Sequence, residues 1–69
     1  PTKMDRVIGR RIRAERVAAE VTQTELAGAI SLSFQQLQKY ENGTNRVTAA
    51  KLFEICQILD VPIASMFQE

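Results

Sequence analysis

The sequence predicts an all-α fold of five helices, on three observations. Apolar residues recur near the helical period of about 3.6 along the whole chain, with no sustained alternation of the strand kind. Proline stands only at Pro1 and Pro62, so no ring interrupts a helix between them. Thr22, Ser33 and Thr48 each precede an apolar-periodic stretch, where a hydroxyl can cap the free N–H groups of a helix start.

The first helix is expected from about Met4 to Ala18. Met4, Ile8 and Ile12 fall four apart, and Ala19 continues that face. Arg16 lies on the edge of the same stripe, where burying a guanidinium is costly unless a partner meets it. The second helix opens at Thr22 and closes near Ala29. Thr22-Gln23-Thr24-Glu25 is a capping box, flanked by Val21 and Leu26 as a hydrophobic staple.

Ile30-Ser31-Leu32 is a tight connection. Ser33-Phe34-Gln35-Gln36 repeats the box, and Leu32 with Leu37 repeats the staple, so a third helix starts at Ser33. Asn42-Gly43 is its left-handed stop. Thr44 to Val47 is a polar loop. Thr48 caps a fourth helix, Ala49 to Leu59, with Leu52, Phe53, Ile55, Cys56 and Leu59 as its apolar residues and a Val47–Leu52 staple. Asp60, tolerant of the left-handed region, ends it. Pro62 opens a short fifth helix, Ile63 to Phe67.

A chain of 69 residues allows one domain, residues 1–69, of modest stability. Cys56 is the sole cysteine, so no disulfide forms within the chain; with histidine absent, no metal is expected, and no cofactor. Cys56 fits a core position better than a reactive thiol, and Tyr40 a core edge better than a base-stacking group. A nucleophile–base pair and a glycine-rich phosphate loop are also absent, which argues against an enzyme. No apolar run could span a bilayer and no signal-peptide pattern opens the chain, so a cytoplasmic protein without membrane contact is expected.

The net charge of +1 is uninformative, but its distribution is not. Lys3, Arg6, Arg10, Arg11, Arg13 and Arg16 crowd the first helix against only Asp5 and Glu15. Such a basic end suits an anion-facing surface as well as a solvated one.

On a helical wheel, Leu37, Tyr40 and Glu41 share one face of the third helix, with Gln35, Gln38, Lys39 and Asn42 opposite and Phe34 and Gln36 on the borders. The polar face holds amides and one cation and no acid, unlike the mixed Glu/Lys pairs of ordinary solvated helices. Glutamine can pair with adenine N6 and N7, and lysine with guanine O6 and N7, as a helix lying in the major groove requires. Two short capped helices joined by a tight turn cross steeply and push the second outward.

Residues 8–67 resemble the phage-repressor and Cro type of helix-turn-helix domain, the XRE family. The resemblance rests on Ile8-Gly9-Arg10-Arg11-Ile12-Arg13, Thr22-Gln23-Thr24-Glu25-Leu26-Ala27, the string from Ser33 to Gly43, and Leu59-Asp60-Val61-Pro62, in that order. It implies a five-helix lambda-repressor-like domain whose helix-turn-helix unit spans residues 23–42. It further implies a sequence-specific regulator of transcription, a repressor, bound to double-stranded DNA as a homodimer. By the resemblance, Phe34, Gln35, Gln38 and Lys39 face bases. Gln23 and Ser33 meet the DNA backbone, and Asn42, Thr44 and Arg46 the backbone or the minor groove. Arg10 and Arg13 on the first helix are candidates for phosphate contact, with solvated surface as the alternative. Arg16 and Glu41 match a buried ion pair, in line with the odd place of Arg16. The same fold also hosts protein-binding modules such as antitoxins, the rival expectation. No small-molecule ligand is expected in this chain.

The sequence departs from the family pattern twice. Ser31 stands where the turn commonly has glycine, at a strain of about 1 kcal/mol if its φ is positive. Phe34 replaces a polar residue; it either packs on a thymine methyl or leans back on Leu37. Met66 and Phe67 close the core or form a dimer seam.

Overall fold

Four hydroxyl caps set the helix starts. In the computed structural model, which describes all 69 residues, the chain forms α1 (Lys3–Ala18), α2 (Gln23–Ala29), α3 (Phe34–Glu41), α4 (Ala49–Leu59) and a final 3-10 helix (Ile63–Phe67), with no strand. The fifth element is a 3-10 helix rather than an α-helix, in keeping with its five residues, too few to reward α-helix nucleation.

The Thr22–Glu25 box is complete: the Glu25 amide donates to Thr22 Oγ1 at 3.1 Å and the Thr22 amide to Glu25 Oε1 at 2.8 Å. The Ser33 box is half formed, with the Gln36 amide donating to Ser33 Oγ at 3.1 Å and no return bond. A neutral amide oxygen is a weaker acceptor than the Glu25 carboxylate. A further box, unread in the sequence, opens α1: the Thr2 amide donates to Asp5 Oδ2 at 2.7 Å and the Asp5 amide to Thr2 Oγ1 at 3.2 Å. Thr48 Oγ1 accepts from the Lys51 amide at 3.2 Å.

All four α-helices stop in the same way, a Schellman turn around one residue of positive φ. These residues are Glu20 (59°), Ser31 (55°), Gly43 (74°) and Asp60 (56°). After α2, for example, the Leu32 amide returns to the Ala27 carbonyl at 2.8 Å. The orphan carbonyls gained in this way offset the left-handed strain at Ser31 and Glu20.

The core is one cluster. Ile8 and Ile12 of α1 meet Leu26 and Ala27 of α2, Ile30, Leu37 and Tyr40, then Leu52, Ile55, Cys56 and Leu59 of α4, and Met66. Val21, Leu32 and Val47, the outer halves of the three staples, pack against it. One sequence expectation needs correction: Met4, grouped with Ile8 and Ile12, is 44% exposed. Phe53 and Phe67, 55% and 46% exposed, also stand outside the core, which for Phe67 leaves the dimer-seam alternative. In α1 the buried residues are Asp5, Val7, Ile8, Gly9, Ile12 and Arg16, so the stripe opens at Asp5 rather than at Met4, and the charges at both of its ends have partners.

Two glycines set how α1 meets α3. A methyl group on Gly9 would stand 2.7 Å from the Glu41 carbonyl oxygen, and one on Gly43 would stand 2.7 Å from Arg6 Cγ. Only hydrogen at both positions lets the α1 backbone lie against the C-terminal end of α3 and the turn that follows. On its other side, α1 is tied to the 3-10 helix, Arg11 Nε donating to the Ser65 carbonyl at 3.0 Å.

Candidate nucleic-acid interface

The face of α3 turned from the core carries Gln35, Gln38 and Lys39, all exposed, continued by exposed Asn42 and Thr44. Leu37, Tyr40 and Glu41 are buried beneath it, and Gln36 is half-buried on the border. Phe34, 37% exposed, stands at the start of α3 outside the core cluster. Lys39 forms no ion pair, and the only acid of α3 is buried. Ser33 Oγ accepts the Gln36 amide, leaving its hydroxyl hydrogen to donate outward.

A polar network holds α3 in place from behind. Arg16 Nε donates to Glu41 Oε2 at 2.7 Å and Arg16 Nη2 to Glu41 Oε1 at 3.1 Å, a two-pronged pair in the interior. Arg16 Nη1 donates to the Val21 carbonyl at 2.9 Å. Gln23 Nε2 donates to Glu41 Oε1 at 2.9 Å. No buried polar side-chain atom lacks a partner, so the desolvation of both charges is met by hydrogen bonds. One carboxylate thereby joins α1, the start of α2 and the end of α3.

The sequence assigned Gln23 to the DNA backbone alone. It is half-buried and commits one amide hydrogen to Glu41, leaving the second free. Nothing in its spacing gives that contact, which depends on how α2 crosses α3.

Arg10 and Arg13 are exposed and unpaired, as is Arg6, which the sequence left without a role. At 100° per residue these three share one flank of α1, on the side of Gly9 and hence of α3. Arg46 differs: it is exposed, yet its Nε donates to Asp5. The Thr2 amide holds the Asp5 carboxyl below the ordinary aspartate range, the Arg46 guanidinium and the Thr2 hydroxyl acting the same way against burial. Cys56 is buried in α4, and burial, with Glu15 nearby, pushes its thiol up, away from the reactive thiolate.

Two short capped helices packed together across a tight turn, the second presenting an exposed polar face, define a helix-turn-helix protein. Residues 12–65 match the helix-turn-helix family HTH_3, and the chain belongs to that family, of the phage-repressor and Cro (XRE) type. It is 44% identical over 69 residues to an uncharacterized HTH-type transcriptional regulator of Sinorhizobium medicae, covering 100% of this chain and 50% of that protein. The chain thus spans about half the length of the relatives it matches. The crystal structure of the clp gene regulator ClgR from Corynebacterium glutamicum superposes with a TM-score of 0.89 at 27% identity, over 96% of this chain and 86% of that one. The restriction-modification controller protein C.AhdI from Aeromonas hydrophila shares the fold, with a TM-score of 0.85 at 24% identity, over 91% of this chain and 96% of that one. No helix is long and apolar enough to cross a membrane.

Proposed function

We propose that residues 1–69 act as one domain that binds double-stranded DNA sequence-specifically and regulates transcription. The carrying observation is the outer face of α3, where Gln35, Gln38 and Lys39 stand exposed and free of acids on a helix braced through Glu41. In this reading α3 lies in the major groove. Gln35, Gln38 and Lys39 pair with base edges and Phe34 meets a thymine methyl. Gln23, Ser33, Asn42, Thr44 and Arg46 fix the pose on phosphates, with Arg10 and Arg13 adding charge from the flank of α1.

An eight-residue helix covers only a few base pairs, so specificity calls for two copies about 34 Å apart on one face of the duplex, reading a near-palindrome. The exposed Phe53 and Ile63, which line one shallow groove, together with exposed Phe67, support a homodimer seam; Met66 is fully buried and belongs to the core. The likeness to phage repressors favours repression. Selection of bound duplexes from a random pool, then sequencing, tests the whole reading. A palindromic consensus with half-sites one helical turn apart is the expected result, and no enrichment at low salt would overturn it.

A further inference from the structure

The two internal arginine–carboxylate pairs that join distant elements are built differently. Arg16 grips Glu41 with two nitrogens at 2.7 and 3.1 Å, and both side chains are buried. Arg46 meets Asp5 through Nε alone, at 3.3 Å from Oδ1 and 3.4 Å from Oδ2, long for a charge-assisted bond. The Asp5 side chain is 6% exposed and the Arg46 side chain 71%. A pair so exposed and so stretched contributes little to stability.

Its geometry suits another purpose. Asp5 is fixed, because the Thr2 amide and the Thr2 hydroxyl both donate to Oδ2, at 2.7 and 3.1 Å. Arg46 hangs from that fixed carboxylate by the inner nitrogen of its guanidinium. Nη1 and Nη2 make no hydrogen bond within the protein, so four of the five N–H donors of the group have no partner in the chain. The loop that carries Arg46 is itself seated on α1, with Gly43 against Arg6. It leaves the C-terminal end of α3, beside the exposed face that carries Lys39.

We infer that Asp5 is a positioning residue: it holds the Arg46 guanidinium side-on, so that its terminal nitrogens meet a backbone phosphate next to the bases read by α3. This rests on the DNA-binding reading above. Arginine is the side chain that can serve both partners at once, one edge to the carboxylate and the other to a phosphate, whereas lysine offers a single point charge. Removing an acid beside a nucleic acid ordinarily strengthens binding; here it weakens it.

The test is a titration of this chain on its selected duplex across a salt series, with Asp5→Asn, Arg46→Ala, Arg46→Lys and the Asp5→Asn/Arg46→Ala double variant, each below its own melting temperature. Arg46→Ala is expected to flatten the slope of log K against log salt by about one phosphate contact, roughly 0.9. Asp5→Asn should weaken binding several-fold while Arg46 is present and change little in the Arg46→Ala background. Arg46→Lys should restore the salt slope but not the affinity. Tighter or unchanged binding by Asp5→Asn, or an equal loss in both backgrounds, overturns the inference while leaving the DNA reading intact. An unchanged salt slope in Arg46→Ala also overturns it, and that variant leaves the Thr2–Asp5 cap untouched. Wild-type protein that ignores every duplex at low salt overturns the DNA reading and this inference with it.

Discussion

Gly9 of α1 lies so close to the Glu41 carbonyl of α3 that an added methyl would stand 2.7 Å from the oxygen. The nearby obstacles are backbone atoms, which cannot swing aside as a side chain does. Gly9→Ala should therefore cost about 1–3 kcal/mol, the usual range for overpacking, although alanine is the better helix former. At about 4–8 °C per kcal/mol for a domain this small, a thermal melt resolves that loss. An unchanged Tm would mean that α1 and α3 separate freely.

Arg16 and Glu41 form the pair behind the same contact, and each strands the other when removed. Arg16→Ala and Glu41→Ala should each destabilise by about 3–5 kcal/mol. An apolar replacement of both together should cost less than the two single losses combined. Gln23→Ala removes one neutral donor to the Glu41 carboxylate and should cost about 1.5–3 kcal/mol, the range for a hydrogen bond to a charged group. Chemical denaturation of the three variants checks the order, and equal losses in all three would contradict the network.

Gln35 and Lys39 lie exposed on the other side of α3. Gln35→Ala should leave Tm unchanged and weaken binding to the selected duplex by about 1–3 kcal/mol, with little effect on random DNA. Lys39→Ala should also lower the salt slope if its ammonium meets a phosphate as well as a base. Equal losses on specific and random duplexes would remove the base-reading role of Gln35.

Asp5 and Glu25 titrate lower in the folded chain than their ordinary values of 3.8 and 4.5, each chiefly through a backbone amide donated by its capping threonine. A depressed native pKa means that the fold favours the ionised form. The stability so gained is complete above those ordinary values and drains away as pH falls through the lower native ones. With no histidine in the chain, Tm should hold level through neutral pH and drop only in acid. A melting series in Asp5→Asn/Glu25→Gln should show a shallower acid limb; a limb as steep as wild type would clear both capping boxes of any part in it.

Much of the fold is legible in the sequence, because caps, staples and terminators are local. Thr22, Ser33 and Thr48 mark three helix starts, and Gly43 and Asp60 two helix ends, all through contacts within a few residues. The polar outer face of α3 follows from its period alone. The stops at Glu20 and Ser31 are less legible, since neither residue prefers positive φ and the returning hydrogen bonds decide the matter. Of the contacts made across the fold, the Arg16–Glu41 pair is expected from the sequence, through the resemblance and the odd place of Arg16, and the others are not. The closeness of Gly9 to Glu41, the amide that Gln23 gives to Glu41 and the anchoring of Arg46 by Asp5 each depend on how helices distant in sequence are laid together. The exposure of Met4 shows the same limit: its spacing groups it with Ile8 and Ile12, and the fold leaves it out.

Because every anchor of α3 lies on its inner side, the outer side is interchangeable. Grafting a foreign set of side chains at Gln35, Gln38 and Lys39 would leave Leu37, Tyr40 and Glu41, and with them the scaffold, undisturbed. On the proposed reading of α3, such a framework is retargeted by exchanging a handful of side chains, with nothing in its folding to change.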